Sequence, residues 1–184
     1  MVLVTLEVML LRMKVLINGA GGGMGTYAFQ IAKTYAAEVT GFDSGPKLEM
    51  LTNMGFDHVI DYKKEDFTKN GKKYDLILDP RTNRSPFQFL RSLTKHGRYV
   101  TVGGQSGKLL QLLVAYPLVW LFTQKRVAML GLKPNLHLEK ISTLFLDGKI
   151  KPTIDGPHSF EKVPQLLRLF GEARHKGKIV IKMD

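Results

Sequence analysis

Lys14-Val-Leu-Ile-Asn-Gly-Ala-Gly-Gly-Gly-Met-Gly25, running on into Thr26-Tyr-Ala-Phe-Gln-Ile-Ala-Lys33, decides the fold. Val15 to Ile17 is a short apolar run suited to a strand buried on both faces. Beyond the glycines, Phe29, Ile31, Ala32 and Tyr35 recur at helical spacing. A strand, a glycine turn and a helix make a phosphate cradle. Free N–H groups at the helix start carry partial positive charge, and absent side chains let a pyrophosphate approach the backbone. The frame Gly19-x-Gly21 fails, because Met24 stands where the third glycine belongs. The frame Ala20-x-Gly22-x-x-Gly25 fits, with Gly22 admitting the pyrophosphate and Gly25 letting the helix pack on the strand. A second predicted strand, Glu38 to Phe42, leads to Asp43, about twenty residues on, where a ribose-binding acid belongs. A dinucleotide site is therefore predicted, against the plainer alternative of a structural turn.

The chain of 184 residues is long enough for one domain with an appendage, and its 44% hydrophobic content is that of a globular protein. It has no cysteine, which excludes disulfides, thiolate zinc sites and cysteine nucleophiles and fits a cytoplasmic protein. Its five histidines show no metal-ligand spacing, so no metal is expected. A net charge of +11 raises the question of nucleic acid. The basic residues read as a scattered, solvated surface, so no nucleic-acid partner is expected. Leu109 to Phe122 is the most apolar stretch, but it is too short to cross a bilayer and contains Pro117. It reads as a cover helix, or as part of the lining of a lipophilic pocket.

Further strands are predicted at Asp57–Tyr62, Tyr74–Asp79, Gly97–Gly103 and Arg126–Leu132, with helices over Pro46–Met54, Ser85–Lys95 and 109–122 between them. This alternation predicts an α/β Rossmann fold, a doubly wound parallel sheet of order 3-2-1-4-5-6. Its ligand crevice would lie at the strands' carboxyl ends, where the glycine loop, Asp43, Asp79 and Gly103-Gly104 fall. From Pro134 the pattern changes to a C-terminal α/β appendage: a helix at Leu138–Leu146, a strand at Pro152–Ile154, a helix at Phe160–Gly171 and a strand at Gly177–Lys182.

Lys14 to Lys33, Met54 to Tyr62, Tyr74 to Asp79, Gly97 to Gly104, and the blocks from Gly148 to Pro152 and Gly177 to Ile181 together resemble medium-chain dehydrogenases/reductases. The nearest branch is the zinc-free quinone or enone reductases. The resemblance implies an oxidoreductase that moves hydride between a nicotinamide and an activated alkene, quinone or carbonyl, with a lipophilic small molecule as substrate. It also implies three parts. Residues 1–13 lie outside the likeness, residues 14–134 form the NAD(P)-binding domain, and residues 135–184 pack in relatives on a GroES-like catalytic domain that this sequence lacks. The sequence reads as a truncated chain on that account. Apolar residues of the last segment then need another cover, the N-terminal segment or a second subunit, and a homodimer through edge strand 128–132 is expected.

Carried over by position, Ala20, Gly22, Gly23, Met24 and Gly25 hold the pyrophosphate, and Asp43 and Ser44 meet the adenosine ribose. Tyr62 lies near the adenine or its phosphate, Asp79 lines the crevice, and Gly103, Gly104, Leu132 and Lys133 flank the nicotinamide. Asp43, with Pro46 where relatives that use NADP often carry a basic residue, favours NAD, the family favours NADP, and Lys47 offsets the Asp43 repulsion, so both dinucleotides stay open. Asp79-Pro-Arg-Thr-Asn83 departs from the small residues and glycine usual in relatives, and Arg81 there either contacts a phosphate or obstructs the site. The glycine stretch also approaches the short-chain dehydrogenase pattern. That class needs a Tyr-x-x-x-Lys pair, and none of the six tyrosines has a lysine four residues on. No proton donor is identified, Asp79, His96 and Tyr99 reading as structural, so a binding module without catalysis is the alternative.

Overall fold

The computed structural model describes residues 13–103, 106–131 and 135–183. The chain alternates β1 (Lys14–Asn18), α1 (Gly23–Thr34), β2 (Glu38–Asp43), α2 (Gly45–Met54), β3 (His58–Asp61), β4 (Tyr74–Asp79), α3 (Pro86–Arg91), β5 (Leu93–Thr101), α4 (Ser106–Phe122) and β6 (Arg126–Met129). The six strands form one parallel sheet of order β3-β2-β1-β4-β5-β6. This is the Rossmann order expected from the sequence.

Strand periodicity divides the core. Val15 and Ile17 point to one face of the sheet, where they meet Phe29 and Ala32 of α1 and Leu51 of α2. Leu16 and Ile77 point to the other, against Phe89 of α3 and Leu112 and Val119 of α4. Both faces of the central strands are thus covered, which is why β1 and β4 read as continuous apolar runs. Helix α2 stops where predicted, on Gly55 in the left-handed region at φ 93°.

Several boundaries differ from expectation. Helix α3 ends at Arg91, because Leu93 and Tyr99 bury in the sheet and pull the chain into β5. At Gly97 the two strands approach so closely that a Cβ would lie 2.9 Å from the Tyr74 carbonyl oxygen. The edge strand β6 ends at Met129, before the predicted Leu132. Gly104, Leu132 and Lys133 lie outside the described residues, as does the N-terminal segment expected to act as a cover.

The appendage comprises α5 (Leu138–Leu146), β7 (Ile154–Ser159), one 3₁₀ turn (Phe160–Lys162), α6 (Val163–Gly171) and β8 (Lys178–Lys182). Strand β7 starts later than predicted and pairs with β8 in parallel. Two contacts fasten the appendage to the Rossmann unit. The Gln30 side chain donates to the Lys151 carbonyl at 2.9 Å and accepts from its amide at 2.7 Å. The Gly177 amide donates to the Gly21 carbonyl at 2.8 Å.

The entry of α1 depends on Gly25, where a Cβ would lie 2.5 Å from both the Gly19 and the Ala20 carbonyl oxygens. Alanine ordinarily stabilises a helix relative to glycine. At this position Gly25→Ala should instead lower the urea midpoint, by about 1–3 kcal/mol of stability, while Gly107→Ala in α4, where a Cβ meets nothing, should not lower it.

Candidate functional site

The crevice lies where β1 hands over to α1. The Gly19 amide donates to the Phe42 carbonyl at 2.8 Å, stitching the loop to the end of β2. Gly22 caps the helix in extended backbone, and its carbonyl accepts from Thr26. The first-turn amides of a helix have no intrahelical acceptor, so this end is electropositive. No acid stands in the first turn of α1 to offset it. Ala20 is fully buried beneath the loop, whereas Met24 is exposed at its rim.

Asp43 performs an internal task. Its Oδ2 accepts from the Gly21 amide at 2.7 Å and its Oδ1 from the Ser44 amide at 2.7 Å. Lys47, one turn into α2, places its ammonium 3.4 Å from Oδ1, and both side chains are at most 3% exposed. The carboxylate therefore fixes the glycine loop while Lys47 neutralises it. A Cβ on Gly21 would strike Lys47 Cδ at 2.6 Å, so loop, acid and base form one packed unit.

Asp79 is wholly buried and holds the wall of the crevice from behind rather than lining it. Its carboxylate accepts from Asn18 Nδ2 at 2.7 Å, the Arg81 amide at 3.0 Å, the Thr82 amide at 2.9 Å and the Tyr99 hydroxyl at 2.8 Å. Burial, and then the neighbouring Asp79 charge, push the Tyr99 phenol up, so it remains a donor. Thr82 sits at φ 41°, in the left-handed region that favours glycine, and its hydroxyl bonds to Thr101 and to the Gly103 carbonyl. This network pins the loop that presents Arg81.

A cavity of about 740 Å³ opens over the glycine loop. Gly22, Gly23, Met24, Gly25, Asp43, Lys47 and Arg81 form one wall, and α6 and β8 of the appendage form the other. Two residues of that second wall were not anticipated from the sequence, Lys178 and His175. Lys178 lies across the helix start, its Nζ 3.0 Å from where a Cβ on Gly23 would be. The His175 ring stacks on Phe170 at 4.6 Å, and its Nδ1 is buried with no hydrogen-bond partner. Burial above all, with Lys47 and Lys178 adding to it, pushes this imidazole below its usual value, against the weaker opposing pull of Asp155 and Asp43. The only available signal was the Gly177-Lys178 pair in the last block of the resemblance, because both residues reach the site through tertiary packing.

A smaller pocket of about 150 Å³ adjoins it, lined by Asn18, Asp43, Tyr62, Arg81, Asn83 and Arg84. Tyr62 is half exposed there, while Arg84 is paired with Asp66 at 2.6 Å and lies over the Phe42 ring. Ser44, Tyr62, Asp43 and the glycine loop thus gather at one end of the sheet, and Gly103 stands behind the wall with Thr82. Among the described residues no three His, Asp or Glu are grouped to hold a metal, and no helix is long and apolar enough to cross a membrane.

His175 supplies a pH signature. Its folded pKa is depressed, so as pH falls through about 6.5 the unfolded chain takes up a proton that the folded chain resists, and stability falls. The loss of urea midpoint between pH 7.5 and 5.5 should be smaller in His175→Gln than in the unmodified chain. An equal loss in both would contradict this assignment.

Comparison with known proteins agrees with this geometry. A family model described as zinc-binding dehydrogenase matches residues 54–181. The chain is 28% identical over 172 residues to the chloroplastic quinone-oxidoreductase QR1 of Triphysaria versicolor, covering 91% of this chain and 52% of that protein. It is 32% identical over 191 residues to the mitochondrial NAD(P)H oxidoreductase RTN4IP1 of Homo sapiens, covering 92% and 48% respectively. The solved quinone oxidoreductase from Coxiella burnetii superposes with a TM-score of 0.78 at 21% identity, over 99% of this chain and 56% of that one, which shows a shared fold. The chain spans about half the length of the curated relatives it matches. With a family model covering well over half of it and the Rossmann order in place, the chain belongs to the medium-chain dehydrogenase/reductase family as a cofactor-binding domain of the zinc-binding dehydrogenase type.

Proposed function

We propose that this chain binds a nicotinamide dinucleotide and serves an oxidoreductase of the quinone or enone reductase type. The observation that carries the reading is the cavity in which a glycine loop, a helix start and the Lys178 ammonium converge. The fit is physical. A Cβ at Gly23 would run into the Lys178 side chain over the helix start, and first-turn amides with this exposed cation beside them suit two linked phosphates. Lys47 and Asp43, already paired, keep the loop rigid before any ligand arrives.

In this reading Ala20, Gly22, Gly23, Met24 and Gly25 hold the pyrophosphate, and Lys178 joins them as its counter-ion. Asp43 and Ser44 face the adenosine ribose, and Tyr62 and Arg81 border the adenine side. Gly103, Gly104, Leu132 and Lys133 are proposed to flank the nicotinamide, with Asp79 fixing the wall behind it. The bound cofactor supplies the hydride, and the protein orients it and excludes water. The substrate class is an activated alkene, quinone or carbonyl. Lys47 offsets the Asp43 charge, so NAD and NADP are both proposed ligands. The exposed outer edge of β6, at Ala128 and Met129, supports the proposed homodimer. Residues 14–134 remain the proposed cofactor domain and 135–184 the segment that packs on a catalytic domain in relatives. Curated relatives include chloroplastic and mitochondrial proteins, so the cytoplasmic location rests on composition alone.

A second reading is favoured by one observation, the half-length match. On it, the chain holds the dinucleotide without turning anything over by itself. Quinone or enone reduction by the purified chain supports the enzyme, whereas nucleotide binding without turnover supports the module.

Calorimetric titration with NADH and NADPH in turn tests the site. Lys178→Ala should weaken both by about tenfold or more, as loss of a charged hydrogen bond costs about 1.5–3 kcal/mol. Asp43→Asn keeps an acceptor for the Gly21 amide but removes the charge. It should improve NADPH binding over NADH by about fivefold, near 1 kcal/mol for one screened charge pair. Equal effects on both dinucleotides would reject a repelling role for Asp43.

A further inference from the structure

The basic residues are less scattered than composition suggests. Between Asp79 and Glu139 the chain has nine Lys or Arg and no Asp or Glu, so nine of its eleven net positive charges belong to this stretch. The fold collects part of that charge at one place. In a parallel sheet the starts of β5 and β6 lie at the end opposite the ligand crevice, and the ends of α3 and α4 lead into them. Arg91 ends α3, Lys95 is the third residue of β5, Lys125 precedes β6 and Arg126 opens it. The Lys125 ammonium donates to the Leu90 carbonyl at 2.5 Å, which draws the two connections together. Arg98 and Arg126 are register partners on neighbouring strands, and Arg98 Nε is buried without an acceptor.

Helix α4 adds an unusual surface to this charge. It buries Leu112, Ala115 and Val119, a stripe at helical spacing. The opposite face, Leu110, Val114, Pro117 and Leu121, is also apolar and is exposed. Trp120 and Phe122, 73% and 75% exposed, lie in the last turn of the helix, just before Lys125 and Arg126 in the chain. A helix apolar on both sides is not a solvated surface helix, and an exposed patch of this kind marks an interaction site. Aromatic and aliphatic side chains flanked by Lys and Arg are the composition that lies in the interface of an anionic bilayer.

We infer that the outer face of α4, with Arg91, Lys95 and Arg126 at its end, docks the protein on an anionic lipid surface without spanning it. The charge decides between a membrane and a second copy of this chain. A copy would bring the same acid-free stretch against itself, whereas lipid phosphates supply the missing negative partners. Edge pairing of β6 would extend the sheet in its own plane and leave the outer face of α4 open, so the two associations are compatible. The inference does not depend on the cofactor.

Trp120 is the only tryptophan in the chain and reports directly on this face. Phosphatidylcholine vesicles containing phosphatidylglycerol should shift its emission to the blue and sediment the protein, and phosphatidylcholine alone should do neither. Arg91→Gln with Arg126→Gln should lower the partition coefficient by at least about tenfold, at about 1 kcal/mol per surface cation. Val114→Glu with Leu121→Glu, at exposed positions, should abolish the shift while far-ultraviolet circular dichroism stays unchanged. Unmoved emission with anionic vesicles, or an equal shift with neutral ones, would overturn the inference. A blue shift that follows protein concentration without lipid would also overturn it, by making this face an interface between copies.

Discussion

The structure depends on one close approach, that of Gly25 to the carbonyls of Gly19 and Ala20, which leaves no room for a Cβ. It lets α1 begin directly against the loop that leaves β1, so the helix start faces the crevice instead of solvent. The same loop is held from the other side by the Asp43 carboxylate through the Gly21 amide. Backbone geometry and a buried acid thus fix the same few residues independently. Side chains cannot take over this role, because the space they would need is already filled by backbone, Lys47 and Lys178.

The electrostatics of the crevice separate into a buried part and an exposed part. Asp43 and Lys47 are buried and cancel one another, so they contribute rigidity more than attraction. Lys178, Arg81 and the helix start carry positive charge into the cavity, and burial beside them holds the His175 imidazole below its usual value. An anion entering the cavity would meet the first-turn amides of α1 with the exposed Lys178 ammonium beside them. The appendage is part of this arrangement, since Gly177 pairs with the loop and delivers Lys178 to it.

The sheet order is readable in the sequence because the central strands are buried on both faces and stand out as apolar runs. Boundaries are less readable where tertiary packing competes with local preference. Helical spacing continues past Arg91, but burial of Leu93 and Tyr99 takes those residues into β5. The glycine loop and Asp43 are visible because their spacing is local. Lys178 and His175 are not, because more than a hundred residues separate them from the loop they face. Asp79 is conspicuous as the acid at the end of β4, yet its four hydrogen bonds turn it inward as a brace. The charge pattern behaves the same way: part of the basic charge spread along the sequence is gathered at one end of the sheet only by the parallel topology.

The central claim is that main-chain amides at the start of α1, and not a side-chain pocket, recognise phosphate. Amide nitrogen–proton chemical shifts during titration with ADP and with adenosine test it most directly. Large shifts are expected at Gly23, Met24 and Gly25 with ADP, and only small ones there with adenosine, the Gly22 amide being already bonded to the Gly19 carbonyl. Shifts of equal size with both ligands, or confined to Tyr62 and its neighbours, would contradict it.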